Sequence, residues 1–497
     1  MPNVNLADRK AAKTSMKLTK ILEGVALAAP ITNDMEITGL AYDSRRVVPG
    51  CLFVCIKGYQ TDGHLYIQNA IEAGAAAVLV QDAQNASLAV PCLRAQDTRK
   101  ALAQAAANFY DHPETKLIPV AVTGTNGKTT VTTLIKAVLE AHGKKVGLIG
   151  TNANMIGDRV LPTERTTPES LELFALFAEM AKAGMDYVVM EVSSHSLYLN
   201  RVYGIPFAVG VFTNLTQDHL DFHKTMENYF EAKKLLFHVC RMGIINADDP
   251  YGKRILEEHP CPMQSFAIDS AADFAAHNLS FSPRGVSFDV TEGATESTVT
   301  LGIPGRFSVY NALAAMAACC ALGIEKDEVI CALATAKGVK GRAEIVHTDT
   351  DYTLIIDYAH TPDGLENIIK TVKGFAKGRV VTLFGCGGDR DPVKRPIMGK
   401  IAGLLSDFCI ITSDNPRTED PMAIIRQVEA GMKETDCAYT VIENRREAIR
   451  YAMETAQPHD CIILAGKGHE TYQIIGKEKR HFDEREEIHK ILADMQA

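Results

Sequence analysis

Ala121-Val122-Thr123-Gly124-Thr125-Asn126-Gly127-Lys128-Thr129-Thr130 decides how this chain is read. It follows an apolar run, Leu117 to Val122, and precedes apolar residues at helical spacing: Val131, Leu134, Ile135, Val138 and Leu139. A strand, a glycine turn ending in Gly-Lys-Thr and a helix start, in that order, make a phosphate cradle. Glycines let backbone N–H groups point at phosphate oxygens, and the helix N-terminus adds a favourable dipole. In such a loop the lysine sits on the outer phosphates and the next hydroxyl on Mg²⁺, roles that fall to Lys128 and Thr129. The standard spacing has one more glycine where Val122 stands, so this is a shortened P-loop. Gly124, Thr125, Asn126, Gly127, Lys128, Thr129 and Thr130 form the expected ATP-binding set.

Around this loop the chain is ordinary in composition. At 497 residues it is too long for one core, and roughly two to four domains are expected. Hydrophobic content of 46% and charge of 23% describe a globular protein. A net charge of −9 argues against a general nucleic-acid surface, so anion binding must be local. The twelve cysteines are scattered without zinc-ribbon spacing, which favours reduced, mostly buried thiols in a cytoplasmic enzyme. Met1 to Lys17 is polar and basic, unlike a secretory signal. The Ala-rich run from Ala312 to Leu322 is too short for a membrane span and reads as a buried helix.

The fold class expected is α/β with three domains: a central P-loop parallel-sheet domain, and a Rossmann-like C-terminal domain. Residues 1–16 read as a flexible tail and 17–114 as an N-terminal domain. The central domain is placed at 115–340 and the C-terminal domain at 341–497. In the centre, apolar runs such as Val146 to Ile149, Tyr187 to Met190, Val209 to Thr213 and Gly243 to Ile245 alternate with helical segments. That alternation argues a parallel sheet wrapped by helices. Residues 273–301 alternate around Val286, Phe288 and Val290 and read as an added antiparallel piece. Strands at Leu354 to Ile356, Val380 to Phe384, Phe408 to Thr412 and Cys461 to Leu464 alternate with helices again, as in a doubly wound domain.

Several polar clusters follow these strands. Glu191 ends an apolar strand and, paired with a P-loop, suits Mg²⁺. His219 and His223 stand four apart, a spacing that puts both on one helix face as in zinc sites. A zinc hydrolase is thus a rival reading, weakened by the absence of a Glu between the histidines. Gly385-Cys386-Gly387-Gly388-Asp389-Arg390 reads as a second anion loop rather than a dinucleotide fingerprint. Asp414-Asn415-Pro416-Arg417 and Gly466-Lys467-Gly468-His469-Glu470 follow strands of the last domain. An arginine can hold a carboxylate and Glu470 an ammonium, which together suit a zwitterionic amino acid.

So many motifs in one order resemble the Mur ligase family over nearly the whole chain. The matching segments are Asp43-Ser44-Arg45, 123–130, Thr166-Thr167-Pro168, 191–195, 214–223, Ala232-Lys233, 246–250, 357–363, 385–391, 414–417 and 466–470. The resemblance implies a ligase that adds meso-diaminopimelate to a UDP-N-acetylmuramoyl-dipeptide, with ATP and Mg²⁺. It assigns Tyr42, Ser44, Thr166, Thr167, Ser193 and Arg201 to the UDP substrate, and Asn311 and Arg342 to the nucleotide. Arg390, Asp414, Asn415, Pro416, Arg417, Gly466 and Glu470 would surround the amino acid. Lys128, Lys233, His219 and Glu191 would be catalytic, and Thr129, Glu191, His219 and a carbamylated Lys233 would hold the metal. On the residues alone, Lys233 is a solvated helix lysine and His223 a capping or surface residue. Ser308 departs from the Asn frequent in the family at that place.

The expected chemistry is activation of a carboxylate by ATP as an acyl phosphate, then attack by an amine. The protein is expected to be cytoplasmic and monomeric, with no nucleic acid partner and no membrane span. A lysine-adding ligase and a folylpolyglutamate synthetase share the chemistry. A P-loop switch protein would be expected to carry an Asn-Lys-x-Asp motif, which is missing here. A non-catalytic scaffold gives no reason for the polar loops.

Overall fold

The computed structural model describes residues 15–58, 61–82, 88–282, 284–293, 295–346 and 348–496. The tail expected at 1–16 therefore lies outside the described residues up to 14; Met16–Lys17 already pairs with Glu36–Ile37. The chain forms two compact units, each discontinuous in sequence. The first comprises Met1–Ala121, Gly143–Gly210 and Ala232–Arg241; the second comprises Val122–His142, Val211–Glu231 and Met242–Ala497.

In the first unit, Leu40–Ala41, Leu52–Val54, Ala77–Val80 and Cys92–Arg94 form a parallel sheet in that order. Side chains alternate between faces of a strand. Leu52, Val54 and Leu79 join a core with Leu102 and Ala105 of helix Thr98–Phe109, while Phe53, Cys55 and Val78 join one with Ile67 and Ala70. Both faces are covered, which is why Cys51 to Ile56 reads as one unbroken apolar run. Farther along, Val146–Ile149 runs parallel to Tyr187–Glu191, and a hairpin, Asn154–Ile156 with Arg159–Leu161, adds to it antiparallel.

The second unit begins with the P-loop helix, Lys128–Ala141, which packs against Arg306–Ala321. The latter is buried nearly all round, from Ser308 to Cys319, as its alanines suggested. Ser308, the departure noted above, donates its hydroxyl to the Pro304 carbonyl at 2.8 Å and is fully buried. Met263–Ala267 lies parallel to Cys240–Asn246 and to Phe274–Ser282, from which Gly285–Glu292 and Thr295–Leu301 continue as an antiparallel meander. This is the added β piece expected at 273–301.

The last six-stranded sheet runs Glu344–Val346, Thr353–Asp357, Cys461–Ala465, Val380–Phe384, Phe408–Ile411, Tyr439–Val441. Only its first strand is antiparallel. Loops 358–361, 385–393, 412–420 and 466–471 all leave carboxyl ends of its parallel strands, the edge where ligands bind in such sheets. All twelve cysteines are free thiols and seven are buried. No helix among the described residues is long and apolar enough to cross a membrane.

Candidate functional site

The P-loop is shaped by two close approaches. Gly124 has φ +146° and a Cβ there would lie 1.8 Å from Thr213 Oγ1; Gly127 has φ +88° and a Cβ would meet Asn311 Oδ1 at 2.6 Å. Only glycine fits either place. Asn214 pins the loop, its carbonyl accepting from Thr125 N–H and its Oδ1 from Asn126 N–H, both at 2.9 Å. Thr213 donates to the Asn126 carbonyl at 2.6 Å. Gly127 caps the helix with no side-chain acceptor, so the helix N-terminus offers donors that a phosphate can take. Lys128 Nζ donates to the carbonyls of Gly124 and Thr125, at 2.9 and 2.8 Å.

Beside this loop lies a cavity of about 360 Å³, lined by Asn126, Gly127, Thr130, Asn311, Arg342 and Asp363 among others. Asn126 Nδ2 donates to Asp363 Oδ2 at 2.7 Å, and burial raises the Asp363 carboxyl above its ordinary range. Arg342 donates to Thr129 Oγ1 at 3.2 Å and stacks over the Tyr358 ring at 4.7 Å. His360 and His469 flank the same ring, with centroids 4.7 and 4.8 Å away. Burial and neighbouring cations lower their pKa values, to about 4 and about 3.

The expected amino-acid residues also come together in this unit. Asn415 Nδ2 donates to Glu470 Oε2 at 2.9 Å, and Arg417 Nη1 to the Gly388 carbonyl at 2.7 Å. Arg390 donates to the Asp389 carbonyl at 2.9 Å and is otherwise exposed. Burial and the Asp414 charge push the Glu470 carboxyl up. Asp414 is held below its usual range: burial raises it, but Lys467 and Arg445 outweigh that. Lys467, absent from the expected set, is fully buried among Asp414, Asn415 and Glu470.

His219 and His223 do not share a helix face. His219 precedes the short helix Leu220–His223 with φ 55°, its ring half-exposed. His223 is buried and stacks on Tyr229, with centroids 4.9 Å apart. It is neither a cap nor a surface residue, and the zinc reading loses its geometric basis. The three-residue groups with metal-like spacing among the described residues are Asp62/His64/Asp82 and His277/Asp289/Glu296, neither containing these histidines.

The first unit gathers a separate cluster. Glu191, 1% exposed, accepts from Thr151 N–H and Oγ1 at 2.9 Å, and Thr151 Oγ1 meets Thr166 Oγ1 at 2.9 Å. Thr167 Oγ1 donates to the Glu191 carbonyl at 2.9 Å and accepts from Ser193 N–H at 3.1 Å. Arg201 donates to the Thr167 carbonyl and pairs with Glu169, each at 3.2 Å. Tyr42 donates to Glu172 at 2.8 Å, and Ser44 opens the turn Ser44–Arg46. Lys233 is 1% exposed, so the solvated-lysine reading is wrong. Thr151, Glu169 and Glu172 escaped the sequence because their partners lie far along the chain.

A P-loop whose helix carries no side-chain cap, set beside a cavity, with charged loops leaving a separate doubly wound sheet, marks a nucleotide-using enzyme. The chain belongs to the Mur ligase family. Residues 36–110 match the family's catalytic domain, 122–319 its middle domain and 341–468 its glutamate ligase domain. The chain is 49% identical to UDP-N-acetylmuramoyl-L-alanyl-D-glutamate–2,6-diaminopimelate ligase 1 of Clostridium acetobutylicum, covering 97% of this chain and 100% of that one. It is 50% identical to the ligase of the same name, without the numeral, from Caldanaerobacter subterraneus, covering 96% and 99%. A solved structure of a 2,6-diaminopimelate ligase of that name matches with TM-score 0.69 and 29% identity over 97% of this chain and all of that one. Folylpolyglutamate synthase of Mycobacterium tuberculosis shares the fold at TM-score 0.63 and 18% identity, covering 74% and 92%.

Proposed function

We infer that this protein is an ATP-dependent ligase that joins meso-2,6-diaminopimelate to UDP-N-acetylmuramoyl-L-alanyl-D-glutamate, a step in cytoplasmic peptidoglycan precursor synthesis. The observation that carries it is identity of 46–50% over nearly the full length to ligases bearing that one name. A carboxylate repels an incoming amine and has no good leaving group. The γ-carboxylate of the D-glutamate therefore attacks the γ-phosphorus of ATP, ADP leaves, and an acyl phosphate forms. The diaminopimelate amine attacks its carbonyl carbon, phosphate leaves, and the amine proton passes to solvent or base as the amide forms. Gly127 and the helix start cradle phosphate oxygens, with Lys128 on the outer ones and Asn311 and Arg342 beside the nucleotide.

Mg²⁺, when bound, neutralises charge that develops on the transferring phosphoryl group. Thr129 and His219, both in the second unit, are the proposed ligands. Glu191 supplies a buried carboxylate. An ammonium as buried as Lys233 carries a desolvation cost, and a carbamate there would replace it with negative charge suited to a divalent cation. Thr166, Thr167, Ser193 and Arg201, with Tyr42 and Ser44, are proposed for the UDP substrate. The amino acid would lie among Arg390, Asn415, Arg417, Gly466 and Glu470, the arginines on carboxylate and Glu470 on ammonium.

The test gives the purified enzyme ATP, the UDP-muramoyl dipeptide and equal diaminopimelate, lysine and glutamate. Mass spectrometry is expected to show the diaminopimelate adduct dominating. A lysine adduct would overturn the specificity, and no adduct the whole reading.

A further inference from the structure

Behind the amino-acid loops lies a line of buried charge. Arg445 and Glu484, both fully buried, pair at 2.7 Å, and Arg445 also donates to the Ala465 carbonyl at 2.8 Å, at the end of the strand that leads into Gly466-Lys467. Arg445 in turn lowers the Asp414 carboxyl. Lys467, with no exposed side-chain surface, reaches Asp414 Oδ1 at 3.2 Å and Glu470 Oε2 at 3.3 Å. The signs alternate along Glu484, Arg445, Asp414, Lys467 and Glu470. Three carboxylates alternate with two cations, and the Arg417 charge acts on both Asp414 and Glu470.

Lys467 and the Ile474 N–H together settle which way the Asn415 amide points. Asn415 Oδ1 accepts from Lys467 Nζ at 3.1 Å and from Ile474 N–H at 2.9 Å, so its Nδ2 is turned to Glu470. An amide with both ends committed has one orientation. A buried charge stripped of its partner is strongly disfavoured, so the ionised form of Glu470 is favoured by Lys467, which faces it at 3.3 Å.

We propose that Lys467 is a positioning residue for amino-acid recognition: with the Ile474 N–H it fixes the Asn415 amide, and it holds Glu470 as the carboxylate that meets the ammonium of the incoming amino acid. This rests on the amino-acid site proposed above and assigns the lysine no contact with substrate or with ATP. The expected signature is a split among Michaelis constants.

The full-length Lys467→Met variant is assayed by ADP release with diaminopimelate, ATP and UDP-muramoyl dipeptide each varied, and its melting temperature is compared with wild type. The diaminopimelate KM should rise about 100-fold or more, with the ATP and dipeptide KM values changing less than about 3-fold. The double variant Lys467→Met/Asp414→Asn removes one carboxylate with the cation, so it guards against unfolding from a stranded charge. It should show the same split. Equal shifts in all three constants, an unchanged diaminopimelate KM, or loss of folding in both variants would make the lysine structural and overturn the proposal. Wild-type enzyme that releases no amino-acid-dependent ADP sinks the ligase reading itself, and this one with it.

Discussion

The P-loop and the loops around Asp414 and Glu470 both follow strands, yet they are held by different means. Mostly neutral groups fix the P-loop, the Asn214 amide and carbonyl and the Thr213 hydroxyl, with Lys128 and Asp363 as the charged partners. Buried ions fix the other, with Lys467, Asp414, Glu470, Arg445 and Glu484 in one line. The difference fits the two ligands proposed for these loops. A triphosphate brings its own dense charge, so a cradle of N–H donors with one lysine suffices. A zwitterion presents opposite charges close together, and discrimination needs fixed charges of both signs placed against them.

That contrast can be broken by experiment. The largest effect is expected from Lys128→Met, which removes the one cation of the P-loop itself; phosphate release with all substrates present should fall about 1000-fold. A fall under tenfold would show that backbone donors alone carry the phosphates. Arg417→Ala should raise the diaminopimelate KM about 100-fold, the loss of a charge-assisted pair, with ATP KM within about 3-fold. If lysine then competes equally with diaminopimelate, the arginine is confirmed as the group that reads the distal carboxylate.

Acid offers a third approach. His360 and His469 have folded pKa values of about 4 and about 3, below the unfolded value of about 6.5. Between those limits the unfolded chain binds more protons, so stability rises with pH. Their contribution is complete above about pH 6.5 and declines as pH falls toward the folded values. By pH 5 each histidine costs at most about 2 kcal/mol, seen as a falling melting temperature. His469→Gln should flatten that slope; an unchanged slope would place the acid sensitivity elsewhere. The smallest effect is expected from Asn126→Ala, which breaks only the link to Asp363 and should raise the ATP KM about 5-fold, one hydrogen bond's worth.

What could be read from the sequence was whatever depends on neighbours in the chain. The glycine turn at 124–127, the buried alanine helix and the meander at 273–301 are set by local spacing and period. Lys467 was visible only as one letter in a glycine loop; its three partners lie on two loops, and burial of an ammonium leaves no mark on periodicity. The histidine pair failed for the opposite reason. Spacing of four predicts a shared face only inside a continuous helix, and His219 takes a left-handed φ before the helix starts. Tyr42 and Glu172 meet across 130 positions, a distance no pattern encodes.

Each unit is stitched from three stretches of chain, and the first is complete only at Arg241. A ribosome therefore has to release nearly half the polypeptide before the opening segment can find all of its own core. Cutting the gene after residue 121 would yield a fragment missing both of the other stretches that complete its unit. Limited proteolysis in a surface turn should accordingly leave the nicked pieces associated, not liberate a free-standing module.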